Sequence, residues 1–138
     1  MPEEEEVDVG HYFNRDEGGL IEAEITDLWA ATADPVFRRF LEKEKVSVVG
    51  QFLQSRGSRP AQGDMFKLVR LMVNCCAADA QPVSVQVRVA DLPNVNEMDW
   101  IRVEGRLHIR LEAGENVPTI EADLVERAET PEEIYIFY

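Results

Sequence analysis

Trp100-Ile101-Arg102-Val103-Glu104-Gly105-Arg106-Leu107-His108-Ile109-Arg110-Leu111 is the stretch on which the fold turns. Ile101, Val103, Gly105, Leu107, Ile109 and Leu111 share one parity; Arg102, Glu104, Arg106, His108 and Arg110 share the other. A period of two held this long belongs to a β-strand with one face on a core and one in water. Downstream, Ala113-Gly114-Glu115-Asn116 reads as a turn, and Ile120, Ala122 and Leu124 as the inward set of a returning strand. Upstream, Pro93 to Met98 is a connector, and Val83, Val85, Val87 and Val89 alternate with Ser84, Gln86, Arg88 and Ala90. Phe66 to Val73 is apolar with little alternation, as in a strand covered on both faces. Ser55 to Asp64 is a loop by composition. Val46, Val48, Gly50 and Phe52 alternate with Ser47, Val49 and Gln51, and Gly50 marks a bulge or sharp bend.

Before residue 45 the period changes. Asp34 caps a helix with Pro35 at its first position, and Val36, Phe37, Phe40 and Leu41 fall on one face. Thr26 reads as the N-cap of an earlier helix through Leu28, Trp29, Ala30 and Ala31, and Leu20 to Ile25 as a short strand. Five strands after residue 44, two with a central glycine, suit a small closed barrel, because closure removes sticky edges. The expected fold is mainly β: a five-stranded barrel like the oligonucleotide/oligosaccharide-binding (OB) barrel, preceded by a short helical segment. The expected organisation is an acidic arm over residues 1–19, a strand and helical segment packed on the barrel over 20–44, and the barrel with its aromatic tail over 45–138.

The chain has 138 residues and a formal net charge of −13, part of it in Glu3-Glu4-Glu5-Glu6. Its length and its 45% apolar content support one domain with a real core. The charge disfavours nucleic acid and anionic lipid. The arginines of the barrel face (Arg88, Arg102, Arg106, Arg110) are expected to be neutralised across strands by Glu104, Glu121 and Asp123, so nucleic acid is not an expected partner. No apolar run approaches the ~20 residues of a membrane span. The chain as given therefore reads as soluble, without direct membrane insertion.

Both cysteines lie in Asn74-Cys75-Cys76-Ala77-Ala78-Asp79-Ala80. Vicinal thiols do not form an ordinary disulfide, so free thiols are expected. Three roles are open to this turn. One thiol packs as a small hydrophobe while Asp79 caps backbone N–H groups, making a structural corner. The two thiolates of Cys75 and Cys76 instead take zinc or copper(I), with Asp79, His11 or His108 as third ligand. Or an exposed thiolate senses redox state. No Cys-x-x-Cys or His-x-x-x-His supports a resident metal, so no cofactor is expected beyond that zinc or copper candidacy. A cysteine nucleophile needs a positioned base, and no hydrolase or phosphate-loop motif is present, so catalysis is not expected. Tyr135, Phe137 and Tyr138 pack back on the barrel or dock against a partner, and packing is the simpler reading.

Several segments together carry a family resemblance: Leu20-Ile21-Glu22-Ala23-Glu24-Ile25 with Asp27-Leu28, Lys45 to Phe52, Phe66 to Arg70 running into Cys75-Cys76-Ala77-Ala78-Asp79-Ala80-Gln81-Pro82, Trp100 to Gly105, and the terminus from Pro131 to Tyr138. The chain resembles the C-terminal soluble domain of the YcgQ-like proteins over about residues 20–138. This is a bacterial family of unknown function associated with membrane permease complexes. The resemblance implies a domain tethered to membrane helices through a parent protein or partner, working beside a permease of the YraQ-like type. It implies no reaction. The Cys75-to-Ala80 segment is its most specific part. The ending Ile134-Tyr135-Ile136-Phe137-Tyr138 differs from the Pro-Tyr-x-Tyr type of the family. The expected function is a non-catalytic accessory or interaction domain, with metal binding or delivery at the Cys75-Cys76 turn as the alternative.

Overall fold

The computed structural model describes residues 12–54, 64–74 and 77–137. The barrel strands are β3 (Lys45–Gln54), β4 (Asp64–Val73), β5 (Gln81–Val89), β6 (Trp100–Glu112) and β7 (Glu115–Arg127). Two short strands precede them, β1 (Asn14–Arg15) and β2 (Ile21–Glu22), and β8 (Tyr135–Phe137) follows. Helices α1 (Ile25–Ala33) and α2 (Pro35–Lys43) lie between β2 and β3. β3 pairs with β4, β4 with β5, β5 with β7, β7 with β6, and β6 with β3. The ring is therefore closed, parallel at β5–β7 and antiparallel elsewhere. This is the expected OB-like barrel.

Valines, isoleucines and leucines of all five strands fill the barrel, with the rings of Phe52 and Phe66 tilted against each other at 4.9 Å between centroids. Ile25, Leu28 and Ala31 of α1 and Leu41 of α2 join the same core, so the two helices pack onto the barrel. Asp34 caps α2 as expected: its Oδ1 accepts from Val36 N–H at 2.9 Å, ahead of Pro35's fixed φ. The cap of α1 is corrected. The N-cap is Glu24, not Thr26; Glu24 N–H donates to Asp27 Oδ2 at 2.8 Å, and the helix begins at Ile25.

Gly50 carries no bulge. β3 changes neighbours here, pairing with β6 as far as Gln51 and with β4 from Gln51 onward. A Cβ on Gly50 would lie 2.7 Å from Leu68 Cγ, so the glycine permits close strand approach. The bulge lies instead between β6 and β7. Glu104 pairs with Leu124 and Gly105 with Ala122, leaving Asp123 as the extra residue. That extra residue reverses the parity of β7 and corrects one inward position. Leu124 is 41% exposed, and Val125 packs against the core in its place. Leu111 is corrected as well, at 73% exposure. It lies in the distal part of the β6–β7 ribbon, two positions past the last buried β6 residue, Ile109. The ribbon's turn is only Ala113-Gly114, both at positive φ, as a two-residue hairpin requires.

The add-on strands sit on edges that the barrel leaves vacant. β2 runs parallel to β3 at Val46–Ser47, and β8 runs parallel to β4 at Leu71–Val73. β3 and β4 pair only over Gln51–Gln54 and Phe66–Val69, so β2 and β8 extend the two sides of the seam where these strands diverge. Arg70, 5% exposed, lies at that seam. One guanidinium nitrogen donates to Glu133 O at 3.0 Å and the other reaches Glu24 Oε2 at 3.5 Å; its carbon sits 5.2 Å from the Trp100 ring centroid. Glu24 follows β2 and Glu133 precedes β8, so this one side chain ties both additions to the barrel.

Candidate functional site

A hollow of about 810 Å³ opens between the β1–β2 hairpin, the start of α1 and the outer face of β3 and β6. The hairpin that walls it is fixed locally. Asp16 Oδ1 accepts from the N–H groups of Gly18 and Leu20, both at 2.9 Å, and Gly19 takes the left-handed φ of +83°. Phe13 stacks on Phe40 at 5.8 Å and tilts against Phe37 at 5.8 Å, so α2 holds the hairpin's leading strand. Arg15 and Glu44 pair at 2.9 Å, fastening β1 to the end of α2. The hydrogen bond from Arg15 draws the Glu44 carboxyl below its usual range.

Asp16, Glu17, Glu22, Glu24, Asp27 and Glu104 line the hollow against the single guanidinium of Arg102. Arg102 is itself committed. Its Nε donates to Glu126 Oε1 at 3.0 Å, and it pairs with Glu104 and reaches Asp16 Oδ2 and Ser47 Oγ at 3.5 and 3.4 Å. The hydrogen bond to Glu126 is the main reason its pKa is raised. Asp27 shifts the other way from Glu44: burial raises its carboxyl, against the lowering effect of the Glu24 N–H. The hollow is thus a strongly negative concavity. Among the described residues no histidine or cysteine lines it, and no three His, Cys, Asp or Glu side chains cluster as a metal would need. Spread carboxylates of this kind attract spaced cations.

The residues singled out from the sequence lie elsewhere. Cys75, Cys76, His11 and Tyr138 fall outside the described residues. Asp79 ends a short 3-10 turn (Ala77–Asp79), and its Oδ1 accepts from Asn74 N–H at 3.2 Å across the β4–β5 connection. His108 is exposed on β6, opposite Thr119, which pairs in turn with Gln86. Gln86 lies five residues along β5 from Gln81, where that connection ends, or ~16 Å of strand. His108 is therefore set that far along the sheet from Gln81. Tyr135 is half-buried and Phe137 59% exposed, both on β8. The sequence reading missed the hollow, whose walls come from residues 12–27, 47–49 and 102–104. The one local signal was the density of carboxylates from Asp16 to Asp27.

The DUF1980 C-terminal domain matches residues 32–138. The chain belongs to that family. No curated protein matches it. Among solved structures it is similar to a small single-stranded DNA-binding protein from Streptomyces coelicolor, at 16% identity and a TM-score of 0.44, over 61% of this chain and 91% of that one. It is also similar to the N-terminal domain of PriB protein from Thermoanaerobacter tencongensis, at 13% identity and a TM-score of 0.41, over 64% and 99%. These likenesses are of fold, and the family is defined by the DUF1980 match.

A single-stranded DNA-binding protein is among the structures of similar fold. The expectation that nucleic acid is no partner is corrected, because the carboxylates do not neutralise the whole arginine stripe. Glu121 and Asp123 pair with Arg88 and Lys45, at 3.5 and 2.6 Å, and Glu104 pairs with Arg102. Arg106 and Arg110 have no carboxylate partner among the described residues, so net charge averages over a face that is locally cationic. No helix among the described residues is long and apolar enough to cross a membrane.

Proposed function

We propose that this chain is a non-catalytic accessory domain of a membrane permease complex, and that it works by holding a basic segment of a partner protein in the acidic hollow. The observation that carries the reading is the hollow itself: six carboxylates around about 810 Å³, with its one guanidinium already paired. Such a site attracts cations, and among its described lining residues there is no nucleophile–base pair for turnover. The permease assignment draws its support from the resemblance carried by the Cys75-to-Ala80 segment. The test is binding to the permease in lipid nanodiscs. Glu17→Lys with Glu22→Lys, at two exposed rim positions, should weaken it roughly tenfold or more. Unchanged affinity would refute the reading.

The Asn74–Asp79 hydrogen bond at 3.2 Å supports a second, metal-handling reading, because it draws a carboxylate back to the neck of the segment that holds both cysteines. On that reading the reduced protein binds zinc or copper(I), and Cys75→Ser or Cys76→Ser abolishes binding. Retention of metal by both variants would refute it.

A further inference from the structure

On the outer face of the barrel, register sets Lys67 of β4, Gln86 of β5, Thr119 of β7 and His108 of β6 on one rung. Arg106 and Arg110 flank that rung along β6. Lys67, Arg106 and Arg110 have no carboxylate partner among the described residues, although the chain carries a net charge of −13. On β5 and β7 of this face three polar atoms are buried and without a hydrogen-bond partner among the described residues: Gln86 Oε1, Arg88 Nε and Thr119 Oγ1. Thr119 is fully buried. Unsatisfied groups of this kind are rare in folded proteins, and here donors and acceptors are gathered on one face.

We propose that this face is a second binding surface, separate from the hollow, and that its occupant is an extended acidic segment of a partner protein. Charge complementarity chooses the sign of the occupant. Spacing chooses its form: Arg106 and Arg110, four residues apart on β6, stand ~13.6 Å apart, the repeat of every fourth side chain in an extended chain. A peptide backbone also brings the mixed donors and acceptors that the three buried atoms lack, once the overlying side chains part. Single-stranded nucleic acid is the less suited polyanion, because it is held largely by stacking on aromatic rings and none lies on these rungs.

Fluorescence anisotropy with a labelled peptide of alternating glutamate and threonine tests this, with labelled oligothymidylate alongside. The peptide should bind, and Lys67→Glu with Arg106→Glu should weaken binding roughly tenfold or more. Arg39→Glu, an exposed change on α2, should leave it unaltered. Should the double reversal fail to fold, Arg106→Gln with Arg110→Gln should show the same direction of loss. Absence of peptide binding, equal binding by the face variants, or binding of oligothymidylate without the peptide would each overturn the proposal.

Discussion

Arg70 interrupts the apolar run of β4 at the seam between β2 and β8, so its replacement separates charge from volume. Arg70→Ala empties a buried site and frees Glu133 O; a loss of about 3 kcal/mol in unfolding free energy is expected from urea titration. Arg70→Met keeps the volume and removes a desolvated charge, and should cost only about 1 kcal/mol. Equal losses would mean that the charge, not the packing, holds the seam. Asp27 offers a pH test with a definite sign. Burial raises its carboxyl in the folded state, so folding favours the protonated form. Wild-type protein therefore gains stability from this group as pH falls through the raised folded value towards the unfolded one, and carries its cost above that window. Asp27→Asn removes the cost, and its side-chain oxygen still accepts from Glu24 N–H. The advantage of the variant over wild type in thermal melts should be larger at pH 7 than at pH 4. An advantage that grows on acidification would contradict the assignment.

The strands show where local pattern suffices and where it stops. A Cβ on Gly105 would lie 2.1 Å from Glu121 O, so Gly105→Ala must push β6 and β7 apart beside the bulge. A loss of about 3 kcal/mol in urea-unfolding stability is expected. At Gly50 a Cβ would meet Leu68 Cγ at 2.7 Å and Val69 O at 3.1 Å, a smaller overlap, and Gly50→Ala should cost less. Alternation made β6 legible from Ile101 to Ile109, and Asp34-Pro35 made the start of α2 legible, because both signals are local. Leu124 was misread because Asp123 shifts the register, which only the pairing with β6 reveals. Leu111 was misread because how far a ribbon runs past its core depends on the barrel around it. The N-cap of α1 lies two residues before the sequence reading, at a glutamate that Asp27 completes as a capping partner.

At the scale of the whole molecule, the five-strand order closes the barrel as the sequence implied, but the binding surfaces are products of assembly. The hollow exists only because β2 docks parallel on β3 and brings Asp16 to Asp27 over Ser47 and Arg102. The cationic face exists because β4, β5, β7 and β6 align charges that are far apart in the chain. A net charge of −13 describes neither surface, since it sums an acidic hollow with a basic face. The Cys75-Cys76 turn was the most conspicuous motif in the sequence, while the hollow is built from residues with no motif at all. The most direct measurement is hydrogen exchange of the chain, free and bound to the permease in nanodiscs, read segment by segment. Protection on binding should fall on residues 14–27, 47–49 and 102–104. Binding that protects the β8 tail or the β4–β5 outer face while leaving those segments unchanged would contradict the account, as would no binding at all.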